Sequence, residues 1–196
     1  CSCRYYQWFK SYRDCQRKNG WIPVELPRST DDSIDINWPL SSVFIPYEVL
    51  THYGDTRFCS EYYDIAKSYV DLLLNLCDED YVLSPSFYSY KDWVAPEKST
   101  PAFISAVYFY RAVWCFAKIT KALCKQDADK YFDIAEKIKQ NTNKTFLHIR
   151  EDRVYYDNNT QSANVHALGF ELCPDEYASA VVESLVENIK TKDANT

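Results

Sequence analysis

The strongest constraint in this sequence of 196 residues is the rhythm of its connections. Stretches with helical hydrophobic spacing are joined by links that alternate long and short: 19–38, 53–56, 78–99, 125–127, 148–159 and 172–174. A short link between two helices makes them antiparallel neighbours, so consecutive helices pair into hairpins. Repeated hairpins place the short links at one end of the stack and the long ones at the other. The long ones carry the surplus Trp, Tyr, Asp and Glu, so function is expected on the long-loop rim.

The helices read as follows. Tyr5, Trp8, Phe9, Tyr12 and Cys15 form one stripe at a spacing of 3.6, predicting a helix over about 4–18 that Asn19-Gly20 stops. Pro39 opens a second helix that runs to Gly54, with Pro46 either kinking it or lying in its first turn. The third is predicted over 57–77 and the fourth over 101–124. Thr100 can cap the fourth and Pro101 needs no N–H at its first position. This fourth helix is apolar almost all round and is expected to be buried on most faces. Two more follow over 128–146 and 160–171, and a last over 175–190. Residues 148–159 read as a small hairpin or irregular loop. The fold class is therefore all-α, antiparallel helical hairpins in one domain over residues 1–196. Only three glycines occur, which argues against a sandwich or barrel that spends glycine on turns.

Composition excludes several roles. A net charge of −6 leaves no basic stripe for nucleic acid. No run of 18 apolar residues appears, so no membrane span is expected, and no signal peptide is visible. The chain begins at Cys1 and holds no Met, so it shows no translated start, and a longer protein is expected around it. Cys59, Cys77, Cys115 and Cys124 fall in helical patterns and read as reduced, structural thiols. Cys1-Ser2-Cys3 lacks the spacing of a zinc site, so neither a metal nor a cofactor is expected. His52, His148 and His166 have no nucleophile at a recognisable spacing and read as helix-surface or core residues. Aromatic residues make up 16% of the chain, more than a core needs, and such rings often line sites for ring-shaped ligands. The loop Tyr90–Pro101 concentrates this signal, with Trp93 beside the carboxylate of Asp92. The connection it belongs to, of about twenty residues from roughly Asp78 to Ser99, is long for a compact domain unless it is functional or disordered.

Several short motifs, taken in order, resemble the catalytic domain of bacterial α-L-rhamnosidases, family 78 of the glycoside hydrolases. They are Gln16-Arg17-Lys18-Asn19-Gly20-Trp21-Ile22-Pro23, Trp38, Ile45-Pro46-Tyr47-Glu48, Tyr53-Gly54-Asp55, Asp92-Trp93-Val94-Ala95-Pro96, Thr100-Pro101, Tyr108-Phe109-Tyr110, Asn159-Thr160-Gln161-Ser162-Ala163 and Leu185-Val186-Glu187-Asn188-Ile189. The resemblance spans nearly the whole chain. It implies part of an (α/α)6 toroid of six hairpins with the sugar site at one mouth, in the cytoplasm or periplasm of a bacterium. It also implies hydrolysis of terminal α-L-rhamnosides with inversion, by one carboxylic acid and one carboxylate general base.

The family's acid lies in an Asp-Glu-Arg-x-Gly-Trp type sequence, but Gln16-Arg17-Lys18-Asn19 before Gly20-Trp21 holds no carboxylate. The base of the family falls beyond the matched segment. Acid and base are thus expected outside these residues, and the partner of the chain would be the remainder of the toroid or a second copy. The sugar-binding residues implied are Trp38, Asp92 and Trp93. Pro39-Leu40 stands where the family has Gly-Asp after the first of these, so one carboxylate is lost.

Read from the residues alone, Trp38 and Trp93 could equally be covers over the core. Carboxylate pairs such as Asp31/Asp32, Glu48/Asp92 and Asp152/Asp157 could in principle supply acid and base, although surface carboxylates are common on acidic proteins. Another six-hairpin glycosidase and a non-catalytic carbohydrate-binding or interaction module remain as alternative functions.

Overall fold

The computed structural model describes residues 3–27, 35–87, 92 and 95–191. Seven α-helices appear among them: α1 (Cys3–Cys15), α2 (Ser41–Tyr53), α3 (Thr56–Asn75), α4 (Pro101–Ala122), α5 (Ala128–Phe146), α6 (Gln161–Gly169) and α7 (Asp175–Thr191). Between α5 and α6 two short strands, β1 (Leu147–Ile149) and β2 (Val154–Tyr156), form an antiparallel hairpin. Leu147 faces Tyr156, His148 faces Tyr155 and Ile149 faces Val154. The pairs α2/α3, α4/α5 and α6/α7 pack together, each across a short link, with α4 also touching α2, α3 and α6. This is the all-α stack of helical hairpins that the alternating links predict.

Local chemistry sets the boundaries. Gly54 ends α2 at φ 61°, the left-handed cap that costs glycine nothing. Asp55 then starts α3 by accepting from the Phe58 N–H at 3.1 Å. Thr100 caps α4 on the Phe103 N–H at 3.2 Å, and Thr160 caps α6 on the Ala163 N–H at 3.1 Å. α1 stops at Cys15, three residues before the predicted end. Beyond it the Gln16 amide donates to the carbonyls of Gly20 and Ile65, both at 3.0 Å, tying the turn onto α3. A Cβ on Gly20 would lie 2.4 Å from the Ser68 carbonyl oxygen, so that turn has no room for a side chain. Before α2, Trp38–Leu40 form a 3-10 turn rather than α-helix. Pro46 is the sixth residue of α2 and so lies beyond its first turn.

Two further expectations change. The third short link, at Glu171, lies half-way up the stack rather than at the far end. Its carbonyl accepts from Tyr110 in the middle of α4 at 3.3 Å and from Lys139 of α5 at 2.7 Å. The reason is length: α6 has nine residues where α4 has 22. Cys124 is exposed in the α4–α5 turn at φ 54° and not on a helix.

The core is unusually rich in rings. Phe9, Tyr12, Phe58, Tyr62, Tyr69, Phe103, Phe109, Phe116, Tyr131 and Tyr156 are all closed off from solvent. α4 supplies the largest share of the buried residues, and by length and composition it would suit a membrane span, although it holds no unbroken run of 18 apolar residues. Of its most apolar window, 67% is buried against neighbouring helices. Cys59 and Cys115 are buried too, and burial pushes both thiols up to about 12.

Candidate functional site

The starts of α2, α4 and α6 each follow a long connection. At the first, the buried Asp35 carboxylate accepts from the backbone N–H groups of Asn37 at 2.8 Å and Trp38 at 3.0 Å. This closes the turn that presents Trp38, which remains 55% exposed. A Trp so open to water, held by a turn anchored in the core, is a rigid aromatic surface offered to solvent.

The starts of α4 and α6 are joined by a polar latch. Asp157, at φ 52°, accepts from the Thr100 N–H at 2.7 Å and from the Thr100 hydroxyl at 2.8 Å. Thr100 itself caps α4, so the carboxylate of Asp157 stands at the positive end of that helix. Beside it the hydroxyls of Ser99 and Thr160 share a buried hydrogen bond of 2.7 Å. Asn158 donates to the Lys98 carbonyl at 2.9 Å. Asn159, at φ 58°, accepts from the Asn164 amide at 2.9 Å, and its carbonyl takes a hydrogen bond from Asn188 of α7. Left-handed backbone at Asp and Asn is tolerated because their short polar chains bond locally.

Asp92 is the third tie between the same loops. One carboxylate oxygen accepts from the Ser99 N–H at 2.9 Å and the other from the Ser162 hydroxyl at 2.9 Å. The Ser162 hydroxyl lies 3.1 Å from His166 Nδ1, which is 2.7 Å from the Ser162 carbonyl. A carbonyl only accepts, so Nδ1 carries a proton, and in the neutral ring Nε2 is then the acceptor. Tyr108 on α4 fills that role, its hydroxyl 3.0 Å from Nε2. Burial raises the Tyr108 phenol above its usual range, and the nearby charge of Asp92 adds to it. Phe170 packs edge-on against Tyr108 and His166, with ring centres 5.1 and 5.6 Å away. Further along α4, Arg111 lies over Trp114 at 4.3 Å, and Trp114 meets Tyr47 of α2 at 5.8 Å. One polar and aromatic face thus crosses α2, α4 and α6.

Of the sugar-binding residues named from sequence, Trp38 and Asp92 are both on this rim, and Trp93 lies outside the described residues. Of the carboxylate pairs, Asp31/Asp32 lies outside the described residues, and the members of the other two bond to other groups. Glu48 bonds to His52 at 2.9 Å on the exposed side of α2, and Asp152 pairs with Arg153 at 2.8 Å in the β-hairpin turn. Asp157 spends both oxygens on Thr100. Among the described residues no three His, Cys, Asp or Glu side chains converge as metal ligands. The sequence reads His166 as a helix-surface or core residue, and the structure sets it half-buried on α6 beside Ser162, one turn back, and Tyr108, 58 residues away. The first of these neighbours was readable, since Ser162 and His166 are four apart on one helix.

The comparisons with known proteins agree with this architecture. The family model described as bacterial alpha-L-rhamnosidase 6 hairpin glycosidase domain matches residues 2–196. An alpha-L-rhamnosidase of Streptomyces avermitilis is 26% identical over 95% of the chain, and one of Formosa agariphila is 25% identical over 83%. The chain covers 18% of the length of each. Among solved structures, alpha-L-rhamnosidase from Dictyoglumus thermophilum superposes on 96% of the chain with a TM-score of 0.84 and 30% identity, covering 22% of that protein. The Streptomyces avermitilis alpha-L-rhamnosidase complexed with L-rhamnose superposes on 98% with a TM-score of 0.87 and 24% identity, covering 18%. The chain belongs to the bacterial α-L-rhamnosidase family of six-hairpin glycosidase domains.

Proposed function

We propose that residues 1–196 are part of a larger (α/α)6 catalytic domain and form one wall of the mouth of an α-L-rhamnosidase. In this reading the whole protein hydrolyses terminal α-L-rhamnosides with inversion. Trp38 and Trp93 offer their faces to the C–H surfaces and methyl group of the sugar. Asp92 accepts from sugar hydroxyls. Its two oxygens each take one protein donor, which orients the carboxylate and leaves a lone pair on each for ligand.

The observation that carries the reading is the likeness over nearly all of the chain to α-L-rhamnosidases, one of them complexed with L-rhamnose. The acid and base are proposed to stand outside these residues. An inverting pair must flank the glycosidic bond with a gap wide enough for water, and both must be free to exchange protons. Three of the described rim carboxylates are held by protein donors: Asp157 by two from Thr100, Asp35 by two backbone N–H groups, and Asp92 by Ser99 and Ser162.

The test is hydrolysis of an aryl α-L-rhamnoside by the complete gene product, with product anomer followed by NMR. Release of rhamnose with inverted configuration is expected. Release from another aryl glycoside but not from the rhamnoside would move the sugar assignment, and no release from any would sink the enzymatic reading.

A further inference from the structure

We propose that Ser162, His166 and Tyr108 are positioning residues, each held by the next, that fix the Asp92 carboxylate in the direction from which it meets the sugar. This rests on the reading of Asp92 as a sugar ligand. Asp92 belongs to a long connection, and a side chain there has many rotamers to lose on ordering. The Ser99 N–H alone, seven residues on, would fix only one oxygen. The second oxygen is fixed from another helix, by Ser162, 70 residues away.

A serine hydroxyl can rotate, so Ser162 orients Asp92 only if its own proton has one place to go. His166 provides that condition. Its Nδ1–H is committed to the Ser162 carbonyl at 2.7 Å and stands 3.1 Å from the hydroxyl oxygen. A protonated Nδ1 cannot accept from the Ser162 hydroxyl, which leaves that proton for Asp92. His166 in turn keeps this tautomer because Tyr108 donates to Nε2 at 3.0 Å. The ring is clamped by Tyr108 and Phe170. α4, the most buried helix, thereby sets the aim of a carboxylate on the rim.

The test is steady-state hydrolysis of an aryl α-L-rhamnoside by the complete gene product, with thermal midpoints measured alongside. Ser162→Ala is expected to raise KM about tenfold, since one bond to a charged group is lost, and to leave kcat nearly as it was. Ser162→Thr, which keeps the hydroxyl, is expected to restore most of the loss. Tyr108→Phe is expected to raise KM about threefold, in line with one neutral hydrogen bond. In an Asp92→Ala background, Ser162→Ala should change KM no further.

A KM unmoved by Ser162→Ala while Asp92→Ala raises it would overturn the inference alone. So would effects of the two substitutions that multiply. If Ser162→Ala fails to fold, Tyr108→Phe and its own cycle with Asp92→Ala carry the same comparison. Asp92→Ala without effect on KM in an active enzyme would instead remove Asp92 from the sugar site, and the inference with it. That outcome is recognisable before any second-site variant is made.

Discussion

Where α1 lies on α3, the contact is made of rings. Phe58 meets Tyr6, Phe9 and Tyr62, each with ring centres 4.9 Å away, and Phe9 stacks on Tyr12 at 4.6 Å. Where α4 and α6 begin, the contact is made of hydrogen bonds: Asp157 to Thr100, Ser99 to Thr160 and Asp92 to Ser162. The first is non-directional and strong by area. The second is directional, and each bond adds little net free energy, yet it fixes orientation to a fraction of an ångström. Packed rings hold helices together. A polar latch holds side chains at an angle, and this is what a site on a rim requires.

Truncation should expose the contrast most in the ring cluster. Phe58 is fully buried, and Phe58→Ala is expected to cost about 3–5 kcal/mol of unfolding free energy in urea titrations. A loss below about 1 kcal/mol would mean that α1 contributes little to the fold and would break the comparison.

In the latch, Asp157→Ala is expected to cost about 2–3 kcal/mol, because two charge-assisted bonds go and Thr100 loses a partner. Asp157→Asn should cost less, since its carbonyl can still accept once and Asn suits the left-handed backbone. Amide exchange at Thr100–Phe103 would show whether the loss is local to the start of α4 or spread over the chain. Equal losses for Asn and Ala would deny the carboxylate its part.

The smallest expected effect comes from the thiols. Burial pushes Cys59 and Cys115 up to about 12 from an ordinary 9.0. A raised folded-state value means that the native protein holds protons the unfolded chain releases. The stability this represents is fully present below pH 9 and is lost as pH rises from there towards 12. Urea midpoints should therefore be insensitive to these thiols up to pH 8.5 and fall above pH 9. Alkylation at pH 8.5 should mark exposed Cys124 long before either buried thiol. Early labelling of Cys115 would show that α4 opens more readily than its packing implies.

The ring cluster was legible in part, and the latch was not. Phe9 and Tyr12 follow from helical spacing and are buried, but Trp8 of the same stripe stays exposed, and Tyr6, outside it, packs on Phe58. Thr100 was legible, because a cap is a local device within four residues of what it caps, whereas Thr160 reads from sequence as the first residue of the helix it proves to cap. Asp157 reaches Thr100 across 57 positions and Asp92 reaches Ser162 across 70, and no local rule pairs them. The same holds for Asp35, which the sequence shows only as one of several loop aspartates. Its role as the anchor of Trp38 depends on burial. The level of the Glu171 turn was missed because the predicted helix over 160–171 was longer than α6 proved to be.

The most direct test of the sugar-binding wall is an L-rhamnose titration of the complete gene product followed by tryptophan fluorescence. Wild type, Trp38→Phe and Trp93→Phe would be compared, with D-glucose as the control sugar. The account predicts a saturable change in wild type with L-rhamnose and not with D-glucose, and a diminished change in both variants. A folded wild type that does not respond, or variants that respond in full, would contradict it.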